Sequence, residues 1–182
     1  PMQNALLGKR ILVTQAAEFM GPTFCEVFSE QGADVVMNNS ELSPAEAVRD
    51  VVSSAGPIDA VVANLSIVAP STPSSEVGEE EWRSVFAALV DPLPRLIKAV
   101  VPIFARRGGG KILVIGSASA LRGMKRASTY SAARGAQLAY VQAVGVELAP
   151  QNIQVNAIAQ NFVDNPTYFP ATVQANPKFQ ER

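Results

Sequence analysis

Short apolar segments alternate with helical segments along most of this chain, and this alternation limits the possible folds more than any other feature. The apolar segments are rich in Val and Ile, which favour strands. They span residues 10–14, 34–38, 58–63, 111–115 and 153–158. Strands that alternate with helices in this way predict an α/β domain in which helices cover both faces of a parallel sheet.

Proline and glycine set the predicted helix boundaries. The first helix is predicted over residues 21–31, with Pro in its first turn and Gly directly after its end. Ser43 is the predicted N-cap of the second helix, followed by Pro44 at the first helical position. Three prolines inside residues 79–107 predict breaks or kinks in that helical region. A further long helix is predicted over residues 129–148.

The connections are shorter than a complete dinucleotide-binding fold requires. Residues 38–58 leave room for one helix only, and the chain ends soon after the last predicted strand. A length of 182 residues is enough for one domain and too short for two. We therefore predict one Rossmann-like, doubly wound domain over residues 1–182, abbreviated after its second strand and incomplete at its C-terminus.

Composition excludes several classes of function. The net charge of −1 argues against nucleic acid and anionic membrane as partners, and no apolar run is long enough to span a membrane. Cys25 is the single cysteine, so no disulfide forms within the chain, and we expect a cytoplasmic protein. The sequence contains no histidine, which removes the commonest general base and most zinc sites. Acid–base chemistry must then come from Tyr, Lys, Cys or carboxylate groups.

Three residues form a candidate catalytic group. Ser117 follows Gly116, which comes directly after the predicted strand at residues 111–115. This position lies at the edge of the sheet where ligands of α/β proteins bind. Tyr130 and Arg134 lie four residues apart at the start of a predicted helix and therefore share one face. The guanidinium stabilises the deprotonated tyrosine, and Ser117 can hold the same substrate oxygen. This group would move a proton to or from an alcohol oxygen.

The reaction that follows this proton transfer depends on the neighbouring loop, residues 14–21, which reads TQAAEFMG. A nucleotide-binding loop of the short-chain dehydrogenase type would read T-G-x-x-x-G-x-G, with glycines that let the backbone approach pyrophosphate. Here Gln15 and Phe19 replace two of the glycines. Asn38 and Asn39 follow the second strand, where an acidic residue would hold a ribose. The loop therefore predicts no nucleotide cofactor, with Phe19 either a pocket wall or an ordinary core aromatic.

Taken together, these motifs resemble those of the halohydrin dehalogenases, relatives of the short-chain dehydrogenases that use no nicotinamide. The T-x4-F-x-G pattern of that family is met by Thr14, Phe19 and Gly21, and its S-x12-Y-x3-R pattern by Ser117, Tyr130 and Arg134. Residues 161–170, NFVDNPTYFP, are similar to a stretch that lies by the halide pocket in that family.

The resemblance implies cofactor-independent conversion of a vicinal haloalcohol to an epoxide, a halide ion and a proton. The reverse reaction would open epoxides with azide, cyanide or nitrite. By the same resemblance, Ser117 holds the substrate oxygen, Tyr130 is the base and Arg134 tunes it. The implied halide-binding residues are Phe19, Gln160, Asn161 and Phe162. The implied substrate pocket is formed by Pro70, Met124, Tyr168 and Phe169. Neither a cofactor nor a metal is implied, and the expected assembly is a homotetramer.

Two other functions stay open from the sequence. An atypical NAD(P)-dependent oxidoreductase would use the same serine and tyrosine, and tight binding of NADH would support it. A non-catalytic binding relative would keep the pocket without turnover. The first alternative is opposed by the residues that replace glycine in the 14–21 loop.

Overall fold

The computed structural model describes residues 4–180, with the side chain of residue 180 left out. Within these residues, parallel strands form a single sheet in the order β2-β1-β3-β4-β5. The strands are β1 (Arg10–Val13), β2 (Asp34–Met37), β3 (Ala60–Ala63), β4 (Gly110–Ile115) and β5 (Ile153–Ile158). This arrangement confirms the predicted Rossmann-like α/β fold.

Helices cover both faces of the sheet. They are α1 (Gly21–Glu30), α2 (Ala47–Ala55), α3 (Glu79–Leu89), α4 (Pro92–Arg107), α5 (Ser119–Arg122), α6 (Ser128–Leu148), α7 (Ala171–Gln174) and α8 (Pro177–Gln180). Short 3-10 turns lie at Ser74–Glu76 and Ala149–Gln151. Residues from α2, α3, α4 and α6 pack with Leu12, Val61 and Ile112 on one face. Cys25 of α1 packs with Val13 on the other face, because successive strand residues point to opposite sides.

Two predicted boundaries need correction. The second helix begins at Ala47 rather than directly after Ser43. The Ser43 hydroxyl donates to the Glu41 carboxylate instead of capping a helix, and residues 44–46 form a turn. A hydrogen bond from a short polar side chain to a nearby group competes with the hydrogen bond that would cap a helix. The third strand begins at Ala60 rather than at residue 58.

The predicted break within residues 79–107 is confirmed. It separates α3 from α4 at Val90 and Asp91. Pro92 has no N–H to continue the helical ladder, and the N–H of Leu93 donates to the Val90 carbonyl. The Leu89 carbonyl is therefore free to accept a hydrogen bond from a side chain of α6.

The carboxyl ends of β1, β3, β4 and β5 meet at one edge of the sheet. A pair of hydrogen bonds joins two of these ends: the Asn64 N–H donates to Thr14 Oγ1 at 3.0 Å, and Thr14 Oγ1 donates to the Asn64 carbonyl at 3.1 Å. The strand order reverses between β1 and β3, and such a point in an open α/β sheet is where ligands bind. Among the described residues, no helix is long and apolar enough to cross a membrane.

Candidate active site

A pocket of about 180 Å³ opens at this edge of the sheet. Such a volume fits a small substrate rather than a drug-sized ligand. The pocket brings together most of the residues singled out in the sequence, namely Phe19, Ser117, Met124, Tyr130, Gln160, Asn161, Phe162, Tyr168 and Phe169. Pro70 does not line the pocket, since its neighbour Ala69 takes that place. Arg134 lies behind the pocket wall.

Ser117 and Tyr130 face this pocket from two different elements. Ser117 lies two residues beyond β4, and Tyr130 lies in the first turn of α6 with only 4% of its surface exposed. The Ser119 N–H donates to Ser117 Oγ at 3.2 Å. This contact uses the Ser117 hydroxyl as an acceptor and leaves its O–H available to donate to a substrate oxygen.

Ser119 is a pocket residue that the sequence reasoning missed. The residue is 7% exposed, and its Oγ has no hydrogen-bond partner within the described part of the chain. A buried hydroxyl without a partner is destabilising, so this Oγ keeps a hydrogen-bonding capacity that nothing in the described residues uses. Its position two residues after Ser117 was the only available signal.

Arg134 is fully buried, and every acceptor that it contacts is uncharged. Its Nη1 donates to the Ile115 carbonyl at 2.9 Å and to Gln137 Oε1 at 3.1 Å, and its Nη2 donates to the Tyr168 hydroxyl at 3.2 Å. No carboxylate oxygen lies within 4 Å of this guanidinium in residues 4–179. A buried cation without a counter-ion is costly, so its charge favours an anion in or beside the pocket.

Aromatic rings take the place of a counter-ion around this guanidinium. The Arg134 Cζ atom lies 5.0 Å from the centroid of the Tyr130 ring and 5.4 Å from that of Phe19. Ring faces attract cations over such distances. Phe19 therefore supports the buried charge as well as lining the pocket.

Gln137 holds Arg134 in place from one helical turn further along α6. Its Oε1 accepts from Arg134, and its Nε2 donates to the Leu89 carbonyl at 2.7 Å. That carbonyl is the one released by the break between α3 and α4. The sequence reasoning missed this residue because both partners depend on tertiary packing.

Tyr168 belongs to the same buried cluster. Its hydroxyl accepts from Arg134 and from the Ile67 N–H at 3.3 Å, so its own O–H remains the donor. Its ring meets Phe19 edge-on at 5.0 Å between centroids and lies 5.9 Å from Tyr130. Burial raises the pKa of Tyr168 above its ordinary value, although the Arg134 charge acts in the opposite direction. The raised pKa means that the Tyr168 hydroxyl keeps its proton and can donate it in a hydrogen bond.

Asn165 orients the segment that carries Tyr168. This residue is 5% exposed, and its Oδ1 accepts from the backbone N–H groups of Thr167 and Tyr168 at 3.1 and 2.8 Å. Such a turn is typical of Asn before a proline-containing segment. Asn161 and Phe162, from the same stretch, lie at the exposed mouth of the pocket.

Glu81 connects the loop after β3 to the start of α6. Its two carboxylate oxygens accept from Thr72 Oγ1 and Thr129 Oγ1, both at 2.7 Å. The same two hydrogen bonds lower the pKa of Glu81. Because Thr129 immediately precedes Tyr130, this clamp helps to position the tyrosine.

The loop over residues 14–21 keeps a glycine-like backbone although two glycines are replaced. Gln15 and Phe19 have φ angles of +43° and +51°, in the left-handed region that favours glycine. Only Gly21 remains, and a Cβ atom there would lie 2.5 Å from the Ala16 carbonyl oxygen. Close packing of the loop on α1 thus requires Gly21 whether or not a nucleotide binds.

The backbone donors of this loop already have partners. The Phe19 N–H donates to Thr167 Oγ1 at 2.7 Å, and the Ala17 N–H donates to Asn39 Oδ1 at 2.8 Å. Pyrophosphate would need these N–H groups and the volume that the Phe19 ring fills. The residues present do not fit a dinucleotide phosphate at this loop. Within the described residues, no group of three metal-ligating side chains occurs either.

Comparisons with known proteins point to one family. A family model described as enoyl-(acyl carrier protein) reductase matches residues 8–181. Dehydrogenase/reductase SDR family member 4 of Rattus norvegicus is 26% identical over 189 residues, covering 88% of this chain and 68% of that protein. The 5-keto-D-gluconate 5-reductase of Escherichia coli is 28% identical over 186 residues, covering 87% of this chain and 73% of that protein.

A solved structure provides a different kind of relative. It is named "Dehalogenation enzyme", is 28% identical in sequence and superposes with a TM-score of 0.87. The superposition covers 96% of this chain and 81% of that chain. The same scaffold is therefore shared by relatives whose names indicate reduction and by one whose name indicates dehalogenation.

Proposed function

This chain belongs to the short-chain dehydrogenase/reductase family of enzymes, as the match over residues 8–181 shows, and on this scaffold we propose that it dehalogenates vicinal haloalcohols without a nicotinamide cofactor. The observation that carries the proposal is the buried Arg134 charge, which has no carboxylate counter-ion among the described residues and lies beside Tyr130, behind the wall of a pocket that also contains Ser117. A site of this kind favours a phenolate base and an anionic product.

The proposed step uses only groups present in the chain. The phenolate of Tyr130 takes the proton of the substrate hydroxyl, while the O–H of Ser117 donates to the same oxygen. The resulting alkoxide attacks the adjacent carbon, a C–O bond forms and the carbon–halogen bond breaks, with its electron pair leaving on the halide. The products are an epoxide, a halide ion and a proton, which passes from Tyr130 to solvent. In reverse, azide, cyanide or nitrite would attack the epoxide.

The halide would leave towards the aromatic side of the pocket. Phe19, Gln160, Asn161 and Phe162 are among the residues that line the pocket, and aromatic ring edges carry partial positive charge. Arg134 lies beyond Phe19 and contributes its positive charge from behind the wall. No metal ion is needed to stabilise a weakly hydrated anion in this setting.

The names of the relatives favour a second candidate, an NAD(P)-dependent oxidoreductase. Ser117 and Tyr130 would serve that reaction equally well. The occupied N–H groups of Ala17 and Phe19 and the ring of Phe19 oppose it. A titration of NADH against the fluorescence of Trp82, the single tryptophan, separates the two candidates, because tight binding would support the oxidoreductase.

Halide release from 1-chloro-2-propanol without added nucleotide tests the proposal. Tyr130→Phe should abolish release, whereas Tyr140→Phe, a matched change elsewhere on α6, should leave it intact. Equal activity of the two variants would contradict the role of Tyr130. Absence of release from folded wild-type protein would contradict the proposed reaction, and halide-induced thermal stabilisation without turnover would then indicate a binding relative.

We also propose a homotetramer built on the long helices. Helix α6 exposes Ala139 and Ala143, and such small residues let another helix approach closely. Light scattering should give a mass four times that of the 19.3 kDa chain. A single monomeric species at assay concentration would contradict this assembly.

A further inference from the structure

Helix α5 carries two pocket residues that the proposed reaction does not use. Ser119 and Arg122 lie three residues apart and therefore on one face of this helical turn. Both line the pocket, and Ser119 is buried whereas Arg122 is exposed at its mouth. Ser119 contributes the buried hydroxyl without a partner, and Arg122 contributes a second guanidinium besides Arg134.

The Arg122 guanidinium is held at the mouth by neutral groups. Its Nη2 donates to the Asn161 side-chain oxygen, and its Cζ lies 5.9 Å from the centroid of the Phe162 ring. No carboxylate oxygen of residues 4–179 lies within 4 Å of it. An arginine oriented by an amide and an aromatic ring keeps its full charge and further donors for another partner.

The charge of the pocket is one-sided. None of the residues that line it is acidic, whereas Arg122 lies on its wall and Arg134 behind it. A halide product brings a single negative charge, and Arg134 already faces it from behind Phe19. Arg122 contacts Asn161 and Phe162, which belong to the same proposed halide-binding group. One halide does not balance two guanidinium groups, so a positive charge remains for a second anionic group of the substrate.

We propose that the substrate is a haloalcohol bearing a carboxylate, which Arg122 pairs with and Ser119 holds by a hydrogen bond. This inference rests on the proposed dehalogenation and specifies its substrate class. A carboxylate offers several acceptor sites, so it can accept from a guanidinium and a hydroxyl together. The small pocket suits a short chain between the carboxylate and the reacting carbons.

A matched pair of substrates tests the inference. We would compare 4-chloro-3-hydroxybutanoate with 4-chloro-3-hydroxybutanamide, which has nearly the same shape and no charge. The wild-type kcat/KM should favour the carboxylate by about five- to tenfold, as for a partly solvated charge-assisted contact. The preference should decrease as salt is added.

Variants of the two α5 residues test whether they cause the preference for the carboxylate substrate. Arg122→Gln should remove the preference, Arg122→Lys should retain part of it and Ser119→Ala should reduce it. Lys125→Gln is the control, because Lys125 is an exposed cation nearby that does not line the pocket. An unchanged preference in Arg122→Gln, or a wild-type preference for the amide, would overturn the inference.

A binding measurement separates failure of this inference from failure of the reaction. Titration calorimetry with 3-hydroxybutanoate and 3-hydroxybutanamide, which carry no halogen, needs no turnover. Tighter binding of the carboxylate to wild type, lost in Arg122→Gln, would support the anion site even if neither chlorinated substrate releases halide. Equal binding of the two compounds would reject the site, whatever the outcome for halide release.

Discussion

The side chains of Arg134 and Gln137 meet across one turn of α6, where Nη1 of the arginine donates to Oε1 of the glutamine at 3.1 Å. Gln137 in turn donates to the Leu89 carbonyl at 2.7 Å, so a single amide connects the buried cation to the break between α3 and α4. The position of the guanidinium therefore depends on an irregularity in another helix.

Gln137→Met should both destabilise the protein and slow halide release. It keeps the side-chain length but leaves the Leu89 carbonyl and one Arg134 donor without partners. Each buried group left unpaired costs about 1–3 kcal/mol. Urea unfolding and halide release measure the two effects, with Gln142→Met, an exposed change on the same helix, as the control. Unchanged unfolding in Gln137→Met would argue against this connection.

Tyr168→Phe should shift the acid limb of the kcat/KM profile to higher pH. The variant keeps the ring contacts with Phe19 and Tyr130 but removes the O–H that remains free to donate within the cluster. Without that donor, the deprotonated base loses support and needs a higher pH to form. A pH–rate profile with the halide-release assay decides this, and a purely structural role would lower kcat/KM evenly at every pH.

Glu81→Gln should make stability less sensitive to acid. Hydrogen bonds from Thr72 and Thr129 lower the pKa of Glu81, so their contribution is present above the ordinary pKa of Glu. It is lost as the pH falls through the lowered value. The wild type should therefore lose unfolding free energy below about pH 4.5, the ordinary value for glutamate, more steeply than the variant. Parallel urea titrations at pH 6 and pH 3.5 compare them, and equal losses would contradict the role of the clamp.

Phe19→Gly should be more stable than Phe19→Ala. Both variants remove the ring that contacts Arg134 and Tyr168, at a loss of about 3–5 kcal/mol that is typical of buried Phe. Only glycine adopts the left-handed φ of +51° without strain, so the free energy of unfolding should be about 1 kcal/mol higher for the glycine variant. Thermal unfolding of the two variants gives the order directly. The reverse order would show that the backbone changes when the ring is removed.

The strands and the placement of Ser117 and Tyr130 were accessible from the sequence because they depend on local patterns. Buried strands require runs of Val and Ile, and a residue that follows a strand reaches the ligand-binding edge. The break in residues 79–107 followed from proline chemistry alone. The Ser43 cap was wrong because a nearby acidic side chain competed for its hydroxyl.

The residues that complete the site were beyond local patterns. Gln137 and Leu89 lie 48 positions apart, and Phe19 meets Thr167 across 148 positions. No periodicity encodes such contacts, which arise only when the loops converge on the sheet edge. Ala69 lines the pocket and Pro70 does not, since loop conformation decides which of two neighbours faces the pocket.

The corner between β1 and α1 has consequences for redesign. Gln15 and Phe19 adopt the left-handed backbone conformation that glycine usually provides. The loop therefore keeps the same backbone path although both glycines are replaced. Restoring glycine at both positions would free the backbone but would not free its donors, which Thr167 and Asn39 occupy. A change of ligand on this scaffold therefore depends on the acceptors that surround the corner. Restoring nucleotide binding would have to begin with the substitution of those acceptors.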